Sequence, residues 1–220
     1  MKNLTFLFIT MIVLSLVVTF CKNCPSDENI GELSFSNNSL SFMPYIESDT
    51  ILIFKNSNGQ EITLRSENGK EINKQEIVVD KPCSYDLIDE TNISMTVENQ
   101  EILFKNDSIK ILLVLQFRRL DLIQSSQIDS NWVESAYGII GNSFDSLNDK
   151  SFSIITNDRG KDISQSGIDS YLFVNNITLN ENEYLNVYSD LVGQDIFFNK
   201  ELGVFGFRYN NILYTREYLK

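Results

Sequence analysis

The feature that most constrains this chain is an apolar–polar alternation that recurs between turns rich in Asn and Gly. Ile51-Leu52-Ile53-Phe54 is followed by Asn56-Ser57-Asn58-Gly59 and then by Gln60-Glu61-Ile62-Thr63-Leu64. Asn58-Gly59 accepts positive φ at little cost, so this stretch reads as two strands joined by a four-residue loop. Strand side chains alternate between faces, which puts Leu52, Phe54, Ile62 and Leu64 together and turns Glu61, Thr63 and Arg65 to water. Ile109–Phe117 is the most apolar strand. Ile109, Ile111, Leu113, Leu115 and Phe117 share one face and Leu112 and Val114 the other, the pattern of a central strand. Near the end, Val204–Tyr209 and Ile212–Glu217 flank Asn210-Asn211, a two-residue loop suited to a primed turn. That register places Phe205, Phe207, Tyr209, Ile212 and Tyr214 on one face.

The remaining segments follow the same grammar. Leu33 and Phe35, then Leu40 and Phe42, alternate with serines and read as strand. Short strands are expected at 76–79, 93–97, 101–104, 152–156, 171–174, 177–179 and 184–188, with turns at 98–100, 175–176 and 180–183. Residues 126–137 form the one helix candidate, because Trp132, Val133, Ala136 and Tyr137 fall on one helical face and Gly138 would stop it. Composition agrees with a β protein: Ala136 is the only alanine, while β-branched and aromatic residues abound. The expected fold is mainly antiparallel β, a sandwich or partly closed barrel with at most one or two short helices.

The N-terminus sets the compartment. Lys2 precedes an apolar run from Leu4 to Phe20 that ends on Cys21, the layout of a secretory signal. This resembles a bacterial lipoprotein signal of the Bacteroidetes type, in which the cysteine is acylated and becomes the mature first residue. The position before the cysteine, where such signals usually hold Gly, Ala or Ser, is Phe20 here. The resemblance implies a signal peptide at 1–20, a lipidated tether at 21–32 and a single all-β domain at 33–220. It implies a lipid anchor in the outer membrane, on its periplasmic or surface face. Plain secretion and a retained anchor are the alternatives. If Cys21 carries lipid, Cys24 and Cys83 remain as an even pair in an oxidising compartment. A bridge between them would contribute about 4 kcal/mol by closing a long loop; two free thiols are the alternative. A second resemblance covers 177–217, ITLNENEYLNVY through DIFFNKELGVFGFRYNNILYTRE. It is similar to the closing repeat of many bacterial envelope lipoproteins, with Lys200 and Gly203 matching their turn. It implies a fold and carries no catalytic residue.

Charge and absences narrow the function. The chain holds 18 Lys+Arg against 30 Asp+Glu and no histidine. Such a surface repels phosphate backbones, so nucleic acid is not an expected partner. Without histidine, Ser-His-Asp and Cys-His nucleophiles, His-ligated zinc and histidine pH switches are excluded. Carboxylates are the catalytic material left, since a glycosidase needs two of them facing each other. Asp86, Asp89, Glu90, Glu181, Glu183, Asp190 and Asp195 lie beside apolar strands, but no spacing selects a pair. Residues 142–149 and 157–162 offer loop oxygens without the EF-hand spacing, and Arg159 and Lys161 compete for the same charge, so turn chemistry is the expectation there. Asn37, Asn92, Asn106 and Asn176 head Asn-x-Ser/Thr triplets, which matter only in a eukaryotic host. Tyr45, Trp132, Tyr137, Tyr171, Tyr184, Tyr188 and Tyr209 could line a glycan or peptide groove, although core packing accounts for most of them. The expectation is a membrane-tethered envelope lipoprotein with a non-catalytic binding or scaffolding role. Its partner would be an envelope protein, a glycan or a lipid, with no cofactor, metal or catalytic residue. The alternative is a carboxylate-based glycan hydrolase.

Overall fold

The computed structural model describes residues 26–45, 50–66, 68–82, 90–119, 132–141, 150–157, 171–191 and 194–216. Cys21, Cys24 and Cys83 lie outside these residues, as do Asp86, Asp89 and the 142–149 loop. The strands are β1 (Glu28–Leu33), β2 (Thr50–Lys55), β3 (Glu61–Ser66), β4 (Glu71–Pro82), β5 (Glu90–Lys105), β6 (Lys110–Arg119) and β7 (Trp132–Gly141). They continue as β8 (Lys150–Asn157), β9 (Leu172–Leu179), β10 (Asn182–Ser189), β11 (Ile196–Asn199), β12 (Gly203–Tyr209) and β13 (Ile212–Arg216). The one helix among the described residues, α1 (Asn37–Leu40), is a single turn. The chain divides into two compact units, Met1–Gly31 with Glu76–Met95, and Glu32–Gln75 with Thr96–Lys220. In the first unit the Asn92 N–H donates to Asp27 Oδ1 at 2.9 Å. Ile93 and Met95 are buried there.

The second unit is built on one antiparallel sheet. Its strand order is β8-β7-β6-β5-β3-β2-β13-β12-β11-β10-β9. Although β8 ends this order and β11 lies near its other end, Phe152 of β8 and Phe198 of β11 meet with ring centroids 5.5 Å apart. The sheet therefore curls on itself as a half-barrel, which is what accumulated strand twist produces in a long sheet. Of the two expected architectures, the partly closed barrel is the one formed.

Local sequence explains the hairpins. Leu52 pairs with Leu64 and Phe54 with Ile62. Gly59 sits at φ +78° in the loop, and Asn56 Oδ1 accepts from the N–H groups of Asn58 and Gln60. Asn210 and Asn211 both hold positive φ between β12 and β13, the primed turn expected there. Ile111, Leu113 and Leu115 are almost fully buried in β6, each burial stabilising by about 2–3 kcal/mol. Leu112 and Val114, on the other face, are half-buried.

Several expectations are corrected. Trp132–Tyr137 is not helical; it lies in β7, paired along its length with β6. Trp132, Val133, Glu134, Ser135 and Ala136 are all buried, so both faces of the segment are packed and the helical spacing was coincidental. Ser39 and Leu40, expected as strand, lie instead in α1 (Asn37–Leu40). Ser36 caps it, its Oγ accepting from Ser39 N–H at 3.2 Å, because serine competes well for backbone partners at helix starts. Strand β1 (Glu28–Leu33) begins inside the stretch expected as tether, 21–32. The short strand at 76–79 is the middle of a strand running from Glu71 to Pro82. The expected turn at 98–100 does not form, and β5 runs through it while burial shifts from odd to even positions. β9 likewise runs through Asn175-Asn176, and the chain reverses at Asn180-Glu181, where both residues take positive φ.

Candidate functional site

Two of the acidic candidates, Asp190 and Asp195, are held in structural contacts. Asp190 is buried, and its Oδ1 accepts from the N–H groups of Asp195 and Ile196 at 2.6 and 3.0 Å. It shapes the entry to β11. Asp195 faces Lys150 at 3.4 Å and Arg208 at 4.0 Å. Glu181 occupies the β9–β10 turn and Glu183 stands exposed on β10. These four are not gathered around one cavity. Glu134, not singled out by sequence, is the most buried carboxylate among the described residues, at 2% exposure. It accepts from Ser36 N–H and Oγ at 2.9 and 2.8 Å, and from Asn157 Nδ2 at 3.0 Å. It fastens the start of α1 to β7 and β8. Asn157 is the one position of the 157–162 segment among the described residues, and its Nδ2 makes this contact. Among the described residues no group of three or more Cys, Asp or Glu side chains is placed to hold a metal ion.

The aromatic candidates separate into two kinds. Tyr45, Trp132 and Tyr184 are core residues. Tyr45 Oη accepts from Val204 N–H at 2.7 Å, and its ring meets Phe104 edge-on at 4.9 Å. Burial pushes its phenol up to about 12, against the smaller opposing effects of the Val204 bond and the Arg216 charge. Tyr184 stacks on Phe205 at 4.2 Å and donates to Arg216 O at 2.9 Å. Together with Leu179, Val187 and Phe197 they form one buried cluster.

Tyr171 and Tyr188 are the other kind. Tyr188 of β10 is half-buried and touches Tyr171 at 5.6 Å and Phe173 at 5.0 Å, the rings tilted by 58° and 50°. Phe173, across from it on β9, is 44% exposed. Beneath, Tyr188 rests against Phe42 and Phe198. Desolvation, then the neighbouring Tyr171, raises the Tyr188 phenol above its ordinary value. At the margin, Lys200 Nζ stands 4.3 Å over the Phe42 ring and donates to Asn38 Oδ1 at 2.7 Å. Its partial burial lowers its ammonium below the usual lysine value. The result is a cupped aromatic surface on the last two strands of the sheet, rigid from below, with two phenol groups and one cation. It offers stacking, hydrogen bonding and a cation. Sequence named Tyr171 and Tyr188 but missed Phe173 and Lys200, whose roles depend on strand pairing and on α1.

Further cavities among the described residues lie elsewhere. One of about 320 Å³ is lined by Lys55, Asn56, Ser57, Gly59, Asn180, Glu181, Asn182 and Thr215, where two turns meet. Another, of about 390 Å³, is lined by Ser66, Asn68, Gly69, Glu71, Glu101, Leu103, Lys105 and Leu112. Comparison with family models, with curated proteins and with solved structures finds no match to this chain.

Proposed function

We propose that the chain is an envelope lipoprotein anchored through lipid on Cys21, whose β-domain binds a ligand without turning it over. The anchor rests on the N-terminal pattern ending at Cys21. The binding role rests on one observation: Tyr171, Phe173 and Tyr188 form a partly exposed aromatic surface supported by buried rings. Aromatic side chains give large contact area at low conformational cost, which suits affinity. An envelope protein, a glycan or a lipid is the class of partner such a surface serves. Two measurements separate the halves of this reading. Cys21→Ser is expected to leave the protein unacylated and in the soluble fraction; equal membrane retention rejects the anchor. Protein, polysaccharide and lipid fractions of the envelope are then added to the purified chain. One of them is expected to raise the melting temperature by mass action, and Phe173→Ala combined with Tyr188→Ala is expected to remove the rise. No shift with any fraction rejects the surface.

A second reading, the carboxylate-based hydrolase, has one observation of its own. Glu71 and Glu101 line the same 390 Å³ cavity, and Asn68 Nδ2 donates to Glu71 Oε1 at 2.7 Å. Hydrolysis of envelope polysaccharide that Glu101→Gln abolishes would promote it.

A further inference from the structure

Two Asn-Gly pairs stand in strand connections of this chain, Asn58-Gly59 between the paired strands β2 and β3 and Asn68-Gly69 between β3 and β4. Glycine is the residue whose amide nitrogen most readily reaches a preceding asparagine side chain, because no Cβ blocks the approach. The structure gives the two pairs opposite surroundings. Asn58 and Gly59 are both exposed, and a Cβ built on Gly59 meets nothing within 4 Å. Among the described residues the Asn58 side-chain amide has no hydrogen-bond partner, whereas the side chain of its neighbour Asn56 bonds to the N–H groups of Asn58 and Gln60 and to the Gln60 side chain. Asn68 instead donates through Nδ2 to Glu71 Oε1 at 2.7 Å. Gly69 is buried, and its carbonyl accepts from Ser66 Oγ at 3.2 Å.

We propose that Asn58 is a site of spontaneous covalent modification, an ageing switch in the β2–β3 loop that Asn68 does not share. The deprotonated amide nitrogen of Gly59 attacks Asn58 Cγ. The new N–Cγ bond forms as the Cγ–Nδ2 bond breaks and ammonia leaves, closing a succinimide ring. Water then opens either ring carbonyl, leaving an aspartyl or an isoaspartyl residue at position 58. Nothing is oxidised or reduced, and the net exchange is an amide for a carboxylate. The only restraint on the attacking nitrogen is its bond to Asn56 O at 3.0 Å, in a loop open to water. Base removes the Gly59 amide proton, so the rate rises with pH.

The product has a structural consequence. The isoaspartyl form inserts a methylene into the main chain between positions 58 and 59. It would disturb the bonds from the Asn58 and Gly59 N–H groups to Asn56. Both forms place a negative charge beside the 320 Å³ cavity that the loop shares with Asn180 and Glu181.

The test is incubation of the full folded chain in mildly alkaline buffer. Mildly acidic digestion and mass spectrometry then quantify conversion at each site, and a denatured sample runs in parallel. Conversion at Asn58 is expected to run several-fold faster than at Asn68 in the folded chain, and the two rates should converge on denaturation. Asn58→Gln should remove the acidic charge variant that accumulates in the parent. Equal or faster conversion at Asn68 would overturn the proposal. So would an unmodified Asn58 in folded protein while the denatured chain converts, because the loop would then protect the site.

Discussion

The β5–β6 pair and the β10–β13 block are both sheet, yet they bury their residues by different rules. In the first, alternation is nearly strict: Ile102, Phe104, Ile111, Leu113 and Leu115 are buried, and Leu103, Leu112 and Val114 between them are not. In the second, Ile196–Asn199 and Gly203–Phe207 are buried without a break. A register shift falls between Phe197 and Phe198, and Asn186 holds φ +52°. Such irregularities re-aim side chains, and here consecutive aromatics reach separate clusters, Phe197 with Phe205 and Phe198 with Phe152. A regular ladder makes a core and leaves its other face half-open. An irregular aromatic one packs densely and still brings Phe173 and Tyr188 to the surface.

The regular ladder depends most on Leu113. Leu113→Asp puts an unpaired charge where exposure is 2%, and loss of the folded state is expected on expression and by circular dichroism. Lys110→Asp at the margin of the same strand is expected to stay within about 1 kcal/mol of the parent in urea titration. Comparable behaviour of the two would show that the ladder is not the core.

In the aromatic block, Phe205→Ala removes a ring at 0% exposure and is expected to cost about 3–5 kcal/mol by chemical denaturation. Next comes a glycine pair. A Cβ at Gly203 would sit 2.0 Å from Tyr45 Oη at φ +71°, whereas one at Gly59, φ +78°, meets nothing. Gly203→Ala is therefore expected to cost about 2–5 kcal/mol from strain plus overlap, and Gly59→Ala about 1 kcal/mol from strain alone. Equal melting temperatures would refute the packing of Tyr45 against β12.

Tyr45→Phe leaves the buried Val204 N–H without its partner, which is expected to cost about 1–3 kcal/mol at neutral pH. Its pH signature is more telling. The unfolded phenol ionises near 10 while the folded one keeps its proton to about 12. The folded chain then holds more protons in that window, so stability is flat below 10 and falls as pH rises towards 12. Moving the ionisation that far corresponds to roughly 3 kcal/mol, and this part of the alkaline slope should vanish in Tyr45→Phe. An unchanged slope between parent and variant would contradict the burial of Tyr45.

The candidate surface was only half legible. Tyr171 and Tyr188 stood out as aromatics, but so did Tyr184, and alternation alone puts Tyr184 and Tyr188 on one face of β10. The left-handed Asn186 between them sends Tyr184 into the core and Tyr188 outward, and no local pattern announces that turn. Glu134 was missed because it sits in a segment whose helical spacing masked a strand buried on both faces.

Sequence by itself determined the β class, the β2–β3 and β12–β13 hairpins, and the buried face of β6. These depend on neighbouring residues: Asn-Gly or Asn-Asn permits the reversal, and period two then sorts the side chains. Tertiary structure alone decided that β13 pairs with β2, that β8 meets β11 across the curl, and that 132–137 is strand. It also decided which aromatics remain at the surface. Those outcomes join segments far apart in the chain, where what a side chain finds opposite it outweighs any preference written beside it.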